Sequence, residues 1–150
     1  MDRFKLIPAV YLVIRDGDRI LMLQRKNTGY RDGDFSLPAG HVDGGETLTA
    51  AAAREAAEEL GIMVDSDNLR LAYVMHRRSE VPDNADERVD FYFEVSSWQG
   101  EASNMEPEKC SALEWFDVTD LPGNTVPTVR KALEAIAAGE PYGDDGWKVS

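Results

Sequence analysis

The pattern of apolar and polar positions along the chain predicts several short strands. Near the start, the apolar run 9–14 and the alternating segment 19–24 flank the turn dipeptide Asp16-Gly17, which indicates a β-hairpin. Three later apolar or alternating runs predict further strands, at 69–75, 89–95 and 113–116, and residues 35–37 form a short apolar piece.

Two segments have the composition and spacing of helices instead. Segment 47–60 is rich in Ala, Leu and Glu, with Thr47 as a suitable N-cap and Gly61 as a stop. Segment 126–138 has apolar residues every three or four positions and is closed by Gly139. Strands interleaved with two helices, without an internal repeat, predict an α/β fold in which a mixed sheet lies between helices.

The remaining segments are expected to be loops within one domain that covers residues 1–150. The stretch 26–34 is polar and glycine-rich, and the stretch 38–46 contains three glycines. The tail 141–150 combines glycines with aspartates, so it is expected to be loosely ordered. A chain of 150 residues buries enough surface for one core but has no room for a second full domain.

Composition and charge exclude several classes of protein. No apolar run approaches the roughly 18 residues that a membrane span requires, so no membrane association is expected. Residues 1–8 lack a secretory signal, and the single cysteine, Cys110, cannot form an internal disulfide, which together indicate a cytoplasmic protein. The net charge of −12 repels a phosphate backbone, so a nucleic-acid polymer is not expected as a partner. A homodimer is a common default for soluble proteins, and the oligomeric state is left open.

A small phosphorylated substrate is still compatible with this charge if a divalent cation reverses it locally. Around the helix at 47–60, Glu55, Glu58 and Glu59 are predicted to share one side. The opposite, apolar side is expected to consist of Ala52, Ala53, Ala56, Ala57 and Leu60. Carboxylates at this spacing repel each other unless a hard cation such as Mg²⁺, Mn²⁺ or Ca²⁺ neutralises them. From charge pattern alone, a solvated acidic face is the commoner outcome.

The sequence around these glutamates favours the cation. Segment 40–62 reads GHVDGGETLTAAAAREAAEELGI. It resembles the box of the Nudix family, whose pattern is Gly, five residues, Glu, seven residues, Arg-Glu, an aliphatic residue, any residue, Glu-Glu, any residue, Gly and an aliphatic residue. Every defined position is matched, with Ala56 smaller than the usual aliphatic residue.

The resemblance implies a Nudix-type α/β/α sandwich and a pyrophosphohydrolase that depends on Mg²⁺, with Mn²⁺ as the alternative ion. It places the metal on Glu55, Glu58, Glu59 and the backbone carbonyl of Ala39. Gly40 would let the loop fold against the helix start, and Glu46 and Arg54 would form a structural ion pair at the junction of loop and helix. The general base would be a box glutamate or an acidic residue on a later loop, which makes Glu58, Glu59 and Glu106 the candidates, with Glu108 nearly as good.

Substrate contacts are predicted from the resemblance more loosely. Arg25 and Lys26 close one strand, and Arg77 and Arg78 close another, where members of this family often place cations on substrate phosphates. Trp115, Phe116 and Asn124 resemble a segment that encloses the base in MutT-like members, although core packing is the commoner role for such aromatic residues. His41 and His76 lack a partner spacing that would support acid–base catalysis.

The expected activity is hydrolysis of a nucleoside diphosphate linked to another group. The leading substrate is a nucleoside triphosphate, oxidised ones included, which would give a monophosphate and pyrophosphate. A nucleotide sugar such as ADP-ribose is the alternative, although segment 65–80 lacks the proline that such relatives carry after the box. A nucleotide-binding domain without catalysis is disfavoured because all box glutamates are present. Specificity is expected to lie in the loops at 27–34 and 81–87.

Overall fold

The computed structural model describes residues 2–79 and 86–147 as eight strands and two helices. In chain order these are β1 (Ile7–Asp16), β2 (Arg19–Arg25), β3 (Phe35–Ser36), β4 (Ala39–His41), α1 (Leu48–Leu60), β5 (Leu69–Arg78), β6 (Glu87–Val95), β7 (Cys110–Asp117), α2 (Pro127–Ala137) and β8 (Tyr142–Asp145). Within the described residues, no helix is long and apolar enough to cross a membrane.

The strands form one mixed sheet, as predicted, and the structure places β1 near its centre. The neighbouring strands run in the order β3, β2, β1, β6, β5, β8, while β4 also pairs with β1 and β7 with β2. The predicted hairpin of β1 and β2 is present but pairs only next to its turn, at Arg15 with Ile20 and at Asp16 with Arg19. Most of β1 instead pairs in parallel with β6 and antiparallel with β4.

Two hydrophobic cores lie on opposite faces of this sheet. Successive residues of β1 face opposite ways, so Leu12 packs in the core beneath α1 and Val13 in the core beneath α2, each fully buried. The first core also contains Leu60 of α1, and the second contains Val129 and Leu133 of α2. A mixed sheet covered by one helix on each side is the predicted α/β/α sandwich.

Helix α1 has the predicted ends but a different buried face. The Thr47 hydroxyl accepts a hydrogen bond from the Ala50 N–H at 3.1 Å, and Gly61 ends the helix with φ of 69°. The prediction that Ala57 lies on the apolar side is wrong, since Ala57 is exposed and Ala51 is buried. Alanines surround most of this helix, so packing on the sheet sets its rotation rather than the apolar pattern. Glu55 is consequently carried to the sheet side, where it is 8% exposed.

The prediction of a loosely ordered tail is corrected over residues 142–147, and residues 148–150 lie outside the described part of the chain. Tyr142 to Asp145 form β8, which pairs in parallel with the edge of β5. Beyond it, the indole N–H of Trp147 donates to the carbonyl of His76 at 3.2 Å. The glycines and aspartates favour a loop locally, but the open backbone groups of β5 supply hydrogen bonds that stabilise an added strand.

Candidate active site

The loop before α1 approaches the helix closely at a glycine. Gly40 lies in β4, a strand formed inside the segment that was predicted to be loop throughout. A Cβ built on Gly40 would overlap the carboxylate of Glu55. Glycine is therefore needed here to leave space for a side chain of α1, since the backbone of Gly40 does not lie in the left-handed region.

Gly40→Ala is expected to lower activity without unfolding the protein. The new methyl group would displace only the end of the Glu55 side chain, which can rotate away at a cost of less than about 1 kcal/mol. A carboxylate moved by about 1 Å can lower turnover by about 100-fold. The measurement is kcat together with thermal unfolding. Gly44→Ala is the control from the same loop, because a Cβ there meets nothing within 4 Å; equal activity of the two variants would contradict the expectation.

The predicted ion pair between Arg54 and Glu46 is present and is bidentate. Arg54 Nε donates to Glu46 Oε2 at 3.1 Å, and Arg54 Nη2 donates to Glu46 Oε1 at 2.8 Å and to the carbonyl of His41 at 3.1 Å. Glu46 also accepts the backbone N–H of Asp43 at 2.9 Å. These hydrogen bonds hold the pKa of Glu46 below its usual value, and the hydrogen bond from Arg54 has the largest effect. Arg54 thus ties the glycine-containing loop to α1.

Four glutamates line one cavity of about 280 Å³, which we call the acidic cavity. They are the three predicted residues of α1, Glu55, Glu58 and Glu59, together with Glu106 of the loop before β7. Glu106 is held there by a tight turn, in which its N–H donates to Asn104 Oδ1 at 3.0 Å and its carbonyl accepts from Lys109 at 2.9 Å.

Ala39, whose backbone was predicted to contribute a metal ligand, also lines the acidic cavity. Its N–H hydrogen bonds to the Glu59 carboxylate. Glu108, the alternative to Glu106, is exposed and is not among the residues that line this cavity. The structure therefore separates two glutamates that the sequence left nearly equivalent.

The acidic cavity disfavours the ionised form of its buried carboxylates. Burial, followed by the charges of Glu55 and Glu106, raises the pKa of Glu59 well above its usual value. Burial also raises the pKa of Glu55, although its contacts with Arg54 oppose the shift. Glu59 Oε2 is enclosed and has no hydrogen-bond partner within the described residues. A buried, unpartnered carboxylate oxygen among like charges is the environment that a hard divalent cation stabilises.

The carboxylates of this cavity are not yet arranged around one point. Among residues 2–79 and 86–147, no three His, Cys, Asp or Glu side chains converge in the geometry of a metal site. Arg54 accounts for part of this, because its Nη1 donates to Glu55 Oε1 at 2.9 Å and to Glu58 Oε2 at 3.3 Å. The donor set still suits Mg²⁺ or Mn²⁺, which bind carboxylate and carbonyl oxygens.

A second cavity of about 430 Å³, the distal cavity, adjoins the first and has the opposite charge. It shares Arg25, Thr28 and Ala39 with the acidic cavity. Arg25 is fixed at this boundary by its own loop, since its Nε donates to the carbonyl of Tyr30 at 2.7 Å and its Nη2 to the Thr28 hydroxyl at 3.0 Å. Two of the predicted substrate residues, Arg25 and Arg77, therefore line the distal cavity.

Arg77 is held against a buried carboxylate. Its Nε donates to Asp90 Oδ2 at 2.5 Å, and the side chain of Asp90 is fully buried. Burial raises the pKa of Asp90, whereas the charges of Arg77 and Arg88 act in the opposite direction. Burial also raises the pKa of Tyr11, another residue of this cavity, to about 12, so its hydroxyl remains a donor at neutral pH.

The other predicted substrate contacts lie away from both cavities. Lys26 is exposed, and the Asn124 amide donates to the carbonyl of Gly33 at 2.8 Å, which fastens the loop at 26–34. Phe116 packs edge-to-face on Phe35 in the core, and Trp115 stacks on Trp98.

Arg78 lies near the ring of Trp147. Segment 81–85 of the second predicted specificity loop lies outside the described residues.

Several lining residues were not predicted from sequence. Arg88 and Tyr11 line the distal cavity, and Asn104 and Lys109 line the acidic cavity. Arg88 directly opposes Arg77 across β5 and β6. Only the strand register makes this pair visible, because eleven positions separate the two arginines in the chain. Asn104 is near Glu106, so its sequence neighbourhood was the one available signal.

Comparison with known proteins identifies similar chains. A family model described as NUDIX domain matches residues 5–136. The NAD-capped RNA hydrolase NudC of Escherichia coli O1:K1 / APEC is 36% identical over 136 residues, covering 89% of this chain and 49% of the relative. That of Vibrio atlanticus (strain LGP32) is 28% identical over 144 residues, covering 87% of this chain and 49% of the relative. The chain thus spans about half the length of these curated relatives.

One solved structure is similar to this chain over nearly the whole length of the solved chain. The crystal structure of a MutT NUDIX hydrolase from Burkholderia pseudomallei has a TM-score of 0.77 and 30% sequence identity, and the match covers 87% of this chain and 98% of that chain. The mixed sheet between two helices described above is therefore shared with that hydrolase.

Proposed function

The chain belongs to the Nudix hydrolase family, and from that premise we propose that it is a Mg²⁺-dependent pyrophosphohydrolase of small nucleotides. The leading substrate is a nucleoside triphosphate, oxidised ones included, cleaved to the monophosphate and pyrophosphate. The observation that carries this proposal is the direct contact between a cavity lined by four glutamates and a cavity lined by three arginines. A metal in the first and anionic substrate groups in the second would complement these charges.

The acidic cavity contains suitable groups for the chemistry. Glu55, Glu58, Glu59 and the Ala39 carbonyl would hold the cation, which when bound polarises phosphate oxygens and makes water more acidic. Water adds to phosphorus, the bond to the bridging oxygen breaks, and the water's proton passes to a carboxylate. Glu106 is the candidate for that carboxylate, because it lines the same cavity from a separate loop. Arg25, at the boundary of the two cavities, would orient the phosphates on either side of the cleaved bond.

A dinucleotide joined by a pyrophosphate is the second candidate substrate. The relatives named NAD-capped RNA hydrolase are 28% and 36% identical to this chain. Their name weighs against the expectation that no nucleic-acid polymer is a partner, although a net charge of −12 favours the free dinucleotide over RNA. No observation in the described site specifically favours a nucleotide sugar as substrate or a domain that only binds nucleotides.

The test is a panel of nucleoside triphosphates, oxidised triphosphates, NAD⁺, NAD-capped RNA and ADP-ribose, each incubated with purified protein and Mg²⁺ or Mn²⁺. Chromatography should detect a nucleoside monophosphate from at least one compound, and chelation by EDTA should stop its release. Glu58→Gln should be inactive. If wild type and Glu58→Gln are equally inert on the whole panel, the proposal is wrong and a binding-only domain is favoured.

Substitution of the two loop glutamates should give unequal effects. Glu106→Gln is expected to lower kcat about 100-fold, the lower end of what a proton-accepting group contributes. Glu108→Gln should change kcat by less than about 2-fold, because Glu108 is exposed outside the acidic cavity. Steady-state kinetics with the best substrate of the panel measures both. Equal losses, or a larger loss in Glu108→Gln, would remove Glu106 from the proposed mechanism.

A further inference from the structure

The described lining of the distal cavity is positively charged. Arg25, Arg77 and Arg88 line it, and within residues 2–79 and 86–147 no Asp or Glu does. Arg77 and Arg88 are directly opposite each other in the antiparallel pair of β5 and β6. Like charges at such positions destabilise a sheet unless an anion lies between or beside them. This is unusual within a chain of net charge −12.

Among the described residues, the buried carboxylate of Asp90 compensates for part of this charge. Asp90 accepts a hydrogen bond from Arg77 through Oδ2, while its Oδ1 has no partner within the described residues. Arg88 has a weaker carboxylate neighbour, with 4.0 Å between its Nη2 and Asp86 Oδ2. The Nε of Arg88 is buried and lacks a hydrogen-bond partner in the described part of the chain. Arg88 is thus a cation whose donors are incompletely used.

Two of the polar side chains that share this cavity with Arg88 are His41 and Tyr11. Arg88 Nη1 lies 3.1 Å from His41 Nε2. A guanidinium group can only donate, so His41 Nε2 is the acceptor of this hydrogen bond. Tyr11, whose hydroxyl is protonated at neutral pH and can donate, lines the same cavity. Cations and neutral donors around a cavity of about 430 Å³ match the oxygen atoms of a phosphate group.

We propose that the distal cavity is a second anion subsite, in which Arg88, with Arg77 and Tyr11, binds a phosphate group of the substrate that is not part of the cleaved linkage. This inference rests on the proposed function, because the acidic cavity is taken to hold the cleaved linkage. The two cavities share Arg25, Thr28 and Ala39, so one ligand can occupy both. The preferred substrates are therefore nucleotides with an additional phosphate, rather than those whose distal group is a neutral sugar.

A binding experiment without catalysis tests the subsite by itself. Inorganic pyrophosphate is titrated calorimetrically into wild-type protein in EDTA, where the glutamates of the acidic cavity repel the anion. Arg88→Gln should weaken binding at least about 10-fold, and Arg88→Lys should restore part of it, since the charge returns without the planar fork. Arg78→Gln is the matched control, because Arg78 lies near Trp147 outside the cavity, and it should bind as wild type does.

Kinetics then decide whether the substrate uses the subsite. On the best substrate of the nucleotide panel, Arg88→Gln should raise KM at least about 10-fold and change kcat by less than about 3-fold. Equal pyrophosphate binding by wild type and Arg88→Gln, or an unchanged KM, would overturn the proposal. If no panel compound is hydrolysed, the proposed function fails, whereas the titration in EDTA still decides whether the anion subsite exists.

Discussion

Replacing Glu59 by glutamine is expected to abolish activity and, at the same time, to stabilise the metal-free protein. We expect kcat/KM to fall by at least about 1000-fold, because the variant removes a metal-binding carboxylate from the acidic cavity. Glu59 is also surrounded by Glu55 and Glu106, and its Oε2 is enclosed without a partner. Removing that charge relieves both burial and repulsion, so the thermal midpoint in EDTA should rise by about 2–4 °C, or on the order of 1 kcal/mol.

The measurement pairs steady-state kinetics with thermal unfolding in EDTA and in Mg²⁺. Wild type should be stabilised by Mg²⁺, whereas Glu59→Gln should respond much less, since a ligand stabilises only the state that binds it. Glu101→Gln serves as the control, because Glu101 is exposed and does not line the acidic cavity. Full activity in Glu59→Gln, or a lower thermal midpoint in EDTA, would contradict the role and the strain assigned to this residue.

Arg77→Met is expected to cause the largest loss of stability among single substitutions near the site, about 3–5 kcal/mol. It removes the ion-pair partner of Asp90, whose side chain is fully buried. The remaining carboxylate must then be buried as an unpaired ion or take up a proton. With total stabilities of about 5–15 kcal/mol for a domain, this loss is readily measured by urea denaturation.

The loss should grow with rising pH. Burial already raises the pKa of Asp90, and Arg77 is the first of the groups that oppose the rise. Without Arg77, the folded state keeps a proton that the unfolded state loses above a pKa of about 3.9. The free energy of unfolding therefore falls by up to about 1.4 kcal/mol per pH unit above pH 4, until Asp90 ionises in the folded state as well. The free energy of unfolding of the wild type should also fall with rising pH, but with a smaller slope.

Two further variants isolate the buried pair. Arg77→Met combined with Asp90→Leu should recover most of the lost stability and remove the added pH dependence, because an apolar pair replaces an ion pair at little cost. Arg78→Met, at the next position of β5, should change stability by less than about 0.5 kcal/mol, since Arg78 is exposed. A destabilised Arg77→Met variant whose stability does not depend on pH would show that lost packing, not the charge of Asp90, is the cause.

Prediction from sequence succeeded where the signal is local. Thr47 and Gly61 mark the ends of α1, and the resemblance to the Nudix box predicted an ion pair of Glu46 and Arg54 that the structure contains. Prediction from sequence was less successful where a pattern fits more than one structure. The alanines of α1 do not define a single apolar side, so the rotation that buries Glu55 could not be predicted. The segment at 142–145 contains the residues of a loop and becomes a strand only because the edge of β5 is open to it.

The family, the α/β/α fold and the glutamates that are candidates for the metal could all be inferred from the sequence alone, because they depend on residue types at short, regular spacings. Which residues meet across long separations is visible only in the folded chain. The tertiary structure separated Glu106 from Glu108 through the turn at Asn104, and it placed Arg88 opposite Arg77 through the register of β5 and β6. Strand register and helix rotation are set by the packing of the whole core, so no local pattern of residues contains them.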